Sequence, residues 1–262
     1  MGLFRSVAVD RGVVGRLAAI VLVTGLALPA AAKDVPYVPT PQAVVNAMLD
    51  IAKVRQGDYL IDLGSGDGRI VITAAKQYGA EGFGVDIDPE RIIESNQNAK
   101  EAGVSDKVEF IQADLFTTDF SKANVLTMYL LPQVNLRLRP VILDTLKPGT
   151  RIVSHAFDMG DWEPDQRREV EGKQIYYWVV PAKVGGAWRV TEGGKAQTVT
   201  LTQQYQMLEG RTEGGAMAKG RLDGTAITLT LTGGDGKDRT LTGTVEGGRI
   251  AGKGWTAERA GN

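Results

Sequence analysis

The chain has 262 residues, of which 43% are hydrophobic and 23% charged, and its formal net charge is -1. This balance is ordinary for a globular protein and gives no general attraction to nucleic acid or to anionic membranes. The absence of cysteine excludes disulfides, zinc–thiolate sites and thiol nucleophiles, and a single histidine disfavours a histidine-built metal site or a Ser-His-Asp hydrolase.

The N-terminal segment has the composition of a secretory signal peptide. Three arginines precede an apolar run of 12 residues, Leu17 to Leu28, and Ala30, Ala31 and Ala32 follow it. About 20 apolar residues are needed to span a bilayer, so this run is short for a membrane helix. We therefore expect residues 1–32 to be removed and the mature protein to be exported to the periplasm or envelope. The alternative is an uncleaved N-terminal anchor that keeps the protein close to a membrane.

Residues 33–182 alternate between helical and strand-like patterns. Thr40 and Pro41 form a helix start in which the threonine hydroxyl would cap the first turn. Apolar residues then recur at helical spacing, which predicts one buried face made of Val44, Val45, Met48, Leu49 and Ala52. Strands are predicted in YLIDL, GFGVDI, KVEFIQADL, ANVLTMYLL and GTRIVSHAF, and QIYYWVV is expected to close the sheet as a final antiparallel strand. Strands separated by helices predict an α/β fold with a mostly parallel sheet.

Residues 183–262 have a different composition, and we predict that they form a small all-β antiparallel domain rich in glycine and threonine. Of the 33 glycines in the chain, 18 lie in this segment, and threonine alternates there with apolar residues. Gly-Gly and Asp-Gly pairs between the runs are typical of tight β-hairpins. We expect a meander of about six to eight strands that closes into a barrel, with Trp188 and Trp255 in its core. A disordered tail is the alternative.

The segment from Tyr59 to Ala75 joins a strand to a helix through a glycine-rich turn. The acidic residue near the strand end is Asp62, and the turn contains Gly64, Ser65, Gly66 and Gly68. Glycines allow a sharp backbone turn and the close approach of a ligand. Dinucleotide-binding domains use G-x-G-x-x-G at such a turn, whereas this chain has D-x-G-x-G-x-G. Because Asp62 falls near the place where a pyrophosphate would lie, the loop favours a ligand with an ammonium group and no phosphate.

Three segments in order, DLGSGDGR, GVDIDPER and FIQADLF, resemble three motifs of the class I, seven-stranded methyltransferases. The resemblance implies a Rossmann-like sheet and S-adenosylmethionine as cofactor, bound by the glycine loop through Asp62, Gly64, Ser65, Gly66 and Gly68. It also implies that Asp86 accepts hydrogen bonds from both ribose hydroxyls and that Asp114 faces the adenine amino group. Asp88, two positions after Asp86, is predicted to cap the next helix. No metal ion is implied.

A narrower resemblance extends over about residues 35–180. The segments VPYVPTPQAVVNAML, YLLPQVNLRLRP and LKPGTRIVSHAFDMGDW are similar to the bacterial relatives of the mitochondrial lysine methyltransferases of the adenine nucleotide translocase and the ATP synthase c subunit. This resemblance implies a protein-lysine N-methyltransferase in which Tyr37 and Thr40 lie over the methionine end of the cofactor. The β-rich segment lies outside the resemblance.

The acceptor side is predicted from MYLLPQVN, the segment after the fourth strand. We expect Tyr129 to line the acceptor channel as the candidate catalytic residue, with a tyrosine packed at the rim as the alternative. Asn135 is expected to cap the following helix rather than to bind substrate, and His155 to be a structural histidine. Arg137 and Arg139 are expected on a solvated helix face. The absence of an Asn-Pro-Pro-Tyr motif argues against the amino groups of DNA bases or glutamine as acceptors.

The predicted partner is a protein substrate with an acceptor lysine; a monomer is expected and a nucleic-acid partner is not. Two alternatives stay open. The acceptor could be a small molecule or a lipid, or the chain could be a non-enzymatic envelope-binding module on a degenerate methyltransferase fold. Export favours the second alternative, since the cofactor is made in the cytosol, whereas the intact acidic residues and glycines disfavour it.

Overall fold

The computed structural model of the protein describes Gly2, residues 37–233 and residues 236–260. The predicted signal peptide, residues 1–32, falls outside the described residues except for Gly2, so its cleavage stays a prediction. Within the described ranges, no helix combines the length and the apolar composition needed to cross a membrane.

A seven-stranded sheet forms the centre of the first part of the chain. Its strands are β1 (Tyr59–Leu63), β2 (Glu81–Asp86), β3 (Val108–Gln112), β4 (Val125–Met128), β5 (Arg151–His155), β6 (Gln166–Val170) and β7 (Lys173–Val179). The strand order is β3-β2-β1-β4-β5-β7-β6; β1 to β5 are parallel, and β7 runs antiparallel to both of its neighbours. The predicted seven-stranded, mostly parallel sheet is confirmed.

The edge of the sheet beyond β7 differs from the prediction. The segment QIYYWVV does form an antiparallel strand, but β6 lies outside it as the last strand. Four of the five β6 residues are exposed. A strand of this kind lacks the apolar alternation by which strands are recognised in a sequence. The prediction that QIYYWVV closes the sheet is therefore wrong.

Helices cover both faces of the sheet. They are α1 (Gln42–Ile51), α2 (Arg69–Thr73), which continues as a π-helical segment (Ala74–Tyr78), α3 (Pro89–Ala102) and α4 (Pro132–Thr145). Residues of α1, α2 and α3 share one apolar cluster with the sheet, and those of α4 share a second cluster that contains Trp162 and Trp178. The predicted face of α1 is confirmed, because all five of its residues are fully buried: Val44, Val45, Met48, Leu49 and Ala52.

The β-rich segment folds into a closed antiparallel barrel of eight strands. They are β8 (Gly186–Glu192), β9 (Lys195–Gln204), β10 (Met207–Thr212), β11 (Met217–Asp223), β12 (Ala226–Thr232), β13 (Asp238–Glu246), β14 (Arg249–Gly252) and β15 (Trp255–Arg259). The ring closes where β15 pairs with β8. Both predicted core tryptophans, Trp188 and Trp255, are buried in its interior. The barrel prediction is confirmed, and the alternative of a disordered tail is wrong for the described residues.

The barrel contacts the first part of the chain through the turn between β9 and β10. Tyr205 stacks on Trp162, with ring centroids 5.7 Å apart. The buried Gln206 amide accepts a hydrogen bond from Trp162 Nε1 (2.9 Å) and donates one to the carbonyl of Glu163 (2.7 Å). These polar groups satisfy one another at the contact. Independent folding of residues 33–182 and 183–262 stays a prediction.

Candidate active site

The glycine loop after β1 is held against the end of β2 by backbone hydrogen bonds. Gly64 N and Ser65 N both donate to the carbonyl of Val85, at 2.8 and 2.9 Å. Gly64, Gly66 and Gly68 have φ values of +78°, +54° and +79°, a region that side chains with a Cβ rarely adopt. The sequence D-x-G-x-G-x-G therefore folds as a tight loop because three of its residues can take left-handed backbone conformations.

Side chains of the protein itself occupy the space that a Cβ would need at these glycines. A Cβ on Gly66 would lie 2.4 Å from the Tyr37 ring, and one on Gly64 would lie 2.8 Å from Leu130. At Gly68 the neighbour is Phe110, at 2.5 Å. The sequence interpretation, in which the glycines leave room for a ligand, is therefore incomplete: they also let Tyr37 and Leu130 pack directly on the loop.

Asp62 is a buried carboxyl group beneath this loop. Its Oδ1 accepts a hydrogen bond of 2.7 Å from Thr127 Oγ1, on the neighbouring strand β4. Burial raises the pKa of Asp62 to about 7, against the lowering effect of the Thr127 hydroxyl, and the charges of Asp86 and Asp67 add to the rise. Because a nearby cation favours the ionised carboxylate, a ligand ammonium beside Asp62 would reverse this shift.

Asp86 ends β2 and connects the glycine loop to the start of α3. Its Oδ2 accepts from Gly66 N and its Oδ1 from Asp88 N, both at 2.9 Å. The side chain of Asp88 accepts from Glu90 N at 3.0 Å and occupies the N-cap position of α3, so its predicted role is confirmed. A carboxylate oxygen has a second lone pair, so Asp86 keeps capacity to accept from a diol.

The predicted acidic residues lie at the carboxyl ends of three neighbouring strands. Asp62 lies in β1 and Asp86 in β2, and Asp114 comes two residues after β3, where its Oδ1 accepts from Phe116 N at 2.9 Å. With about 4.8 Å between adjacent strands, the row spans about 10 Å along the carboxyl edge of the sheet. The Ser65 Oγ of the glycine loop is buried against Gly84 of β2 and has no hydrogen-bond partner among the described residues. The row of acceptors fits a cofactor that carries an ammonium, a ribose diol and an adenine amine.

The segment of residues 37–41, which we call the strap, crosses the loop before α1. The Tyr37 ring lies against Gly66, and the Arg91 guanidinium sits 4.7 Å from its centroid. The carbonyl of Thr40 accepts from Arg69 Nη1 at 2.8 Å, and Arg69 is in turn paired with Asp67. Tyr37 and Thr40 are therefore brought to the same edge of the sheet as Asp62, Gly66 and Asp86.

The predicted capping role of Thr40 is wrong. The N-cap residue of α1 is Pro41, with no side-chain cap, and its carbonyl accepts from Val44 N and Val45 N at 3.0 Å each. The Thr40 hydroxyl instead forms a hydrogen bond of 3.1 Å with His155 Nδ1, at the end of β5. The hydroxyl therefore bonds a residue 115 positions away and not a backbone N–H of α1, and this bond connects the strap to the sheet.

Aromatic rings line the edge next to the strap. Tyr129, which follows β4 and is partly exposed, packs against the His155 ring with centroids 3.9 Å apart and an interplanar angle of 36°. Phe157 stacks on Tyr129 at 6.3 Å. His155 is buried, and its burial, together with the charge of Lys173, lowers its pKa to about 4. The Nε2 atom of His155 is buried without a hydrogen-bond partner among the described residues, whereas Nδ1 is bonded to Thr40. One of the two ring nitrogens is therefore unsatisfied, and a purely structural role for His155 stays a prediction.

Asn135 and Arg139 also differ from expectation. Helix α4 begins at Pro132 with Leu131 as N-cap, so Asn135 lies inside the first turn and caps nothing. It is buried, and its Nδ2 donates to Ser154 Oγ and to the carbonyls of residues 157 and 158. Arg139 is half-buried, donates to the Met159 carbonyl at 2.6 Å and pairs with Asp161. Arg137 is exposed as predicted, with its guanidinium 3.8 Å from the centroid of the Phe116 ring.

Sequence reasoning missed two residues of this site. Thr127 holds Asp62 but sits in an apolar strand, VLTM, where a buried threonine has no distinguishing pattern. Arg69 holds the strap, and its position directly after the glycine loop, in GDGR, was the available signal. Among the described residues, no group of acidic, histidine or cysteine side chains could hold a metal ion.

This fold and this site define a class I S-adenosylmethionine-dependent methyltransferase. Its features are a seven-stranded sheet in which β7 is antiparallel, a glycine loop after β1, and acidic residues at the carboxyl ends of three adjacent strands. Comparison with known proteins agrees with this class. The family described as the ANTKMT methyltransferase domain matches residues 62–166. Among curated proteins, a protein-lysine N-methyltransferase of Saccharolobus islandicus is 46% identical over 151 residues, which are 56% of this chain and 94% of that protein.

Further relatives lie in animals and among solved structures. The lysine N-methyltransferase of the ATP synthase c subunit from Xenopus laevis is 32% identical over 60% of this chain and 70% of its own length. A crystal structure described as an RNA methyltransferase from Salinibacter ruber, in complex with S-adenosyl-L-homocysteine, is 54% identical, with a TM-score of 0.55 over 56% of this chain and 96% of that one. The chain belongs to the protein-lysine N-methyltransferase family that includes the Saccharolobus protein. The predicted resemblance is thereby confirmed, and the barrel lies outside the region matched by the family domain.

Proposed function

We propose that this protein transfers methyl groups from S-adenosylmethionine to lysine side chains of a protein substrate. The observation that carries the proposal is the carboxyl edge of the sheet, where a row of acidic residues adjoins an aromatic wall of Tyr129, His155 and Phe157. A lysine presents a cationic head on an apolar stem, and aromatic faces stabilise both parts. The family membership supports the same acceptor.

Methyl transfer requires the protein mainly to bind and orient the two reactants. The bound cofactor supplies a methyl group already activated by a sulfonium. The lysine nitrogen must first lose a proton to solvent, because its lone pair forms the new N–C bond while the methyl–sulfur bond breaks and the sulfonium becomes a thioether. The acidic row holds one partner and the aromatic wall confines the other, so the rate gain comes from alignment and exclusion of water.

The name of the Salinibacter structure raises RNA as a second acceptor. RNA binding depends on cations that contact phosphates. Three arginines described near this edge are each engaged with a carboxylate: Arg69 with Asp67, Arg91 with Glu94 and Arg139 with Asp161. A fourth, Arg137, is exposed and lies over the Phe116 ring. With three of these four cations neutralised, the site attracts a polyanion weakly and favours lysine over RNA.

A direct methyl-transfer assay tests the proposal. The full chain is incubated with radiolabelled S-adenosylmethionine and, in parallel, with a lysine-rich protein mixture, with total transfer RNA or with a phospholipid extract. We expect label on protein, mapped to lysine ε-nitrogens by mass spectrometry, and its loss in Asp86→Ala. Label on RNA or lipid alone would reject lysine as acceptor while keeping the cofactor; no binding of S-adenosylmethionine by calorimetry would reject the enzyme class for this chain.

We also propose that the enzyme acts outside the cytoplasm. The support is the N-terminal sequence alone, with three arginines, a short apolar run and three terminal alanines in residues 1–32. Intact-mass measurement of the protein from its native cell tests this proposal. A mature chain that begins at Lys33 supports export, and a mass that retains residues 1–32 supports the anchored alternative.

A further inference from the structure

The single histidine of the chain occupies an unusual position in the aromatic wall. Its Nδ1 is bonded to Thr40 of the strap at 3.1 Å, and its ring face is covered by Tyr129 at 3.9 Å. The other ring nitrogen, Nε2, is buried and has no partner among the described residues. Buried polar atoms in native proteins are nearly always hydrogen-bonded, so each exception requires an explanation, and a binding or catalytic role is one of them.

We propose that His155 Nε2 accepts a hydrogen bond from the amine of the acceptor lysine and thereby orients its lone pair for methylation. This proposal rests on the proposed lysine N-methyltransferase function and names the residue that selects the neutral amine. The contact between Thr40 Oγ1 and Nδ1 is compatible with either tautomer. The proposal requires the one in which Nδ1–H donates to the Thr40 hydroxyl, because Nε2 is then a bare acceptor. Tyr129 fixes the plane of the ring from one side, and Phe157 backs Tyr129.

The surroundings keep the imidazole neutral. Burial is the main cause that lowers the pKa of His155, and the charge of Lys173 on β7 acts in the same direction. A neutral imidazole accepts a hydrogen bond from an uncharged amine, whereas an imidazolium would repel an ammonium. His155 therefore serves as a hydrogen-bond acceptor, and the lysine proton leaves to solvent.

Two substitutions separate this role from a purely structural one. Asparagine places its amide near the Nδ1 position and can keep the bond to Thr40, whereas glutamine reaches the Nε2 position. We expect His155→Asn to lower kcat/KM for the lysine substrate about 10-fold or more and His155→Gln to retain most of it. Both should bind S-adenosylmethionine within about twofold of wild type by calorimetry. The reverse order, with asparagine the milder change, would overturn the proposal in favour of a structural link to Thr40.

A second readout does not depend on turnover. Because the chain has one histidine, long-range ¹H–¹⁵N NMR of the untagged protein with S-adenosylhomocysteine reports its tautomer directly. We expect the Nδ1–H form, and a shift of the Nε2 resonance when a lysine peptide is added in excess. An Nε2–H tautomer would reject the proposal even if the enzyme methylates lysine, whereas a wild-type enzyme without lysine activity would reject the proposed function itself.

Discussion

The two parts of the chain are both built around strands, but they treat buried polar groups differently. At the carboxyl edge of the seven-stranded sheet, Asp62, Ser65, Thr127 and His155 are all buried. Asp62 and Thr127 bond each other, but Ser65 Oγ and His155 Nε2 have no hydrogen-bond partner among the described residues. The described barrel interior is formed by apolar side chains; its buried polar residues, Gln206 and Thr212, make hydrogen bonds, and the buried Glu192 Oε2 is ion-paired with Arg239 at 2.7 Å. Burial of a polar group without a partner is unfavourable, so the contrast marks the sheet edge as the place where function outweighs stability.

The largest effect on cofactor binding is expected from a comparison of two glycines that have the same φ angle. Gly66 and Gly193 both have φ of +54°, but only Gly66 has a side chain, Tyr37, where its Cβ would be. We expect Gly66→Val to weaken S-adenosylmethionine binding about 100-fold or more, since it displaces Tyr37 and the loop bonded to Asp86. Gly193→Val carries the same backbone strain in a barrel hairpin and should leave binding unchanged. Calorimetry measures both; normal binding by a folded Gly66→Val protein would show that the loop does not face the cofactor.

The next largest effect on cofactor binding is expected at Asp86, whose neighbour Asp88 has a different role. Asp86→Ala removes the acceptor predicted for the ribose and should cost about 1.5–3 kcal/mol of cofactor binding, or about 10- to 150-fold in Kd. Asp88→Ala removes the α3 cap and should cost about 1 kcal/mol of stability, with binding near wild type. Calorimetry and urea unfolding separate the two losses. Equal loss of binding in both variants would contradict the assignment.

The contact between the parts can be tested at Gln206. Gln206→Ala leaves the buried Trp162 Nε1 without its acceptor and the Glu163 carbonyl without its donor, and should lower the free energy of unfolding by about 1–3 kcal/mol. Gln204→Ala, at an exposed position of β9, is the matched control and should have little effect. Cofactor affinity should stay within about twofold in both. An unchanged unfolding midpoint for Gln206→Ala would mean that the contact does not hold the parts together.

The smallest expected effect is on the pH dependence of stability in the cofactor-free protein. Asp62, with its pKa raised from 3.8 to about 7, contributes stability below its unfolded pKa that is lost as the pH rises through about 7. His155, with its pKa lowered from 6.5 to about 4, contributes stability above 6.5 that is lost as the pH falls through about 4. The two slopes oppose each other between these values.

Single substitutions should expose each slope. In Asp62→Asn the stability should rise with pH from about 4 to about 6.5, and in His155→Gln it should fall as the pH rises over the same interval. Urea unfolding at three pH values across the interval measures both. Parallel curves for wild type and both variants would show that neither group has a shifted pKa.

Local patterns predicted the elements and the acidic row, because glycine loops, capping residues and hydrophobic periodicity act over a few residues. The strap and its partner could not be predicted in this way. Thr40 and His155 are 115 residues apart, and Asp62 and Thr127 are 65 apart. Their contacts exist because parallel strands bring their carboxyl ends to one edge, which depends on strand order and not on any local motif. The polar strand β6 was not predicted for a different reason. Because four of its five residues are exposed, it lacks the alternation of apolar and polar residues that identifies a strand in a sequence.

The closure of the barrel has a consequence for association between copies of the protein. Alternating threonine and apolar residues with high β-propensity, such as those of β9 and β12, are the composition from which intermolecular sheets grow. Growth needs a strand edge with unpaired backbone groups. The ring gives each of its eight strands two partners, so the native protein offers no such edge within its described barrel, and only unfolding of the ring would create one. A variant that opens the β15–β8 seam should therefore aggregate before it loses the cofactor site.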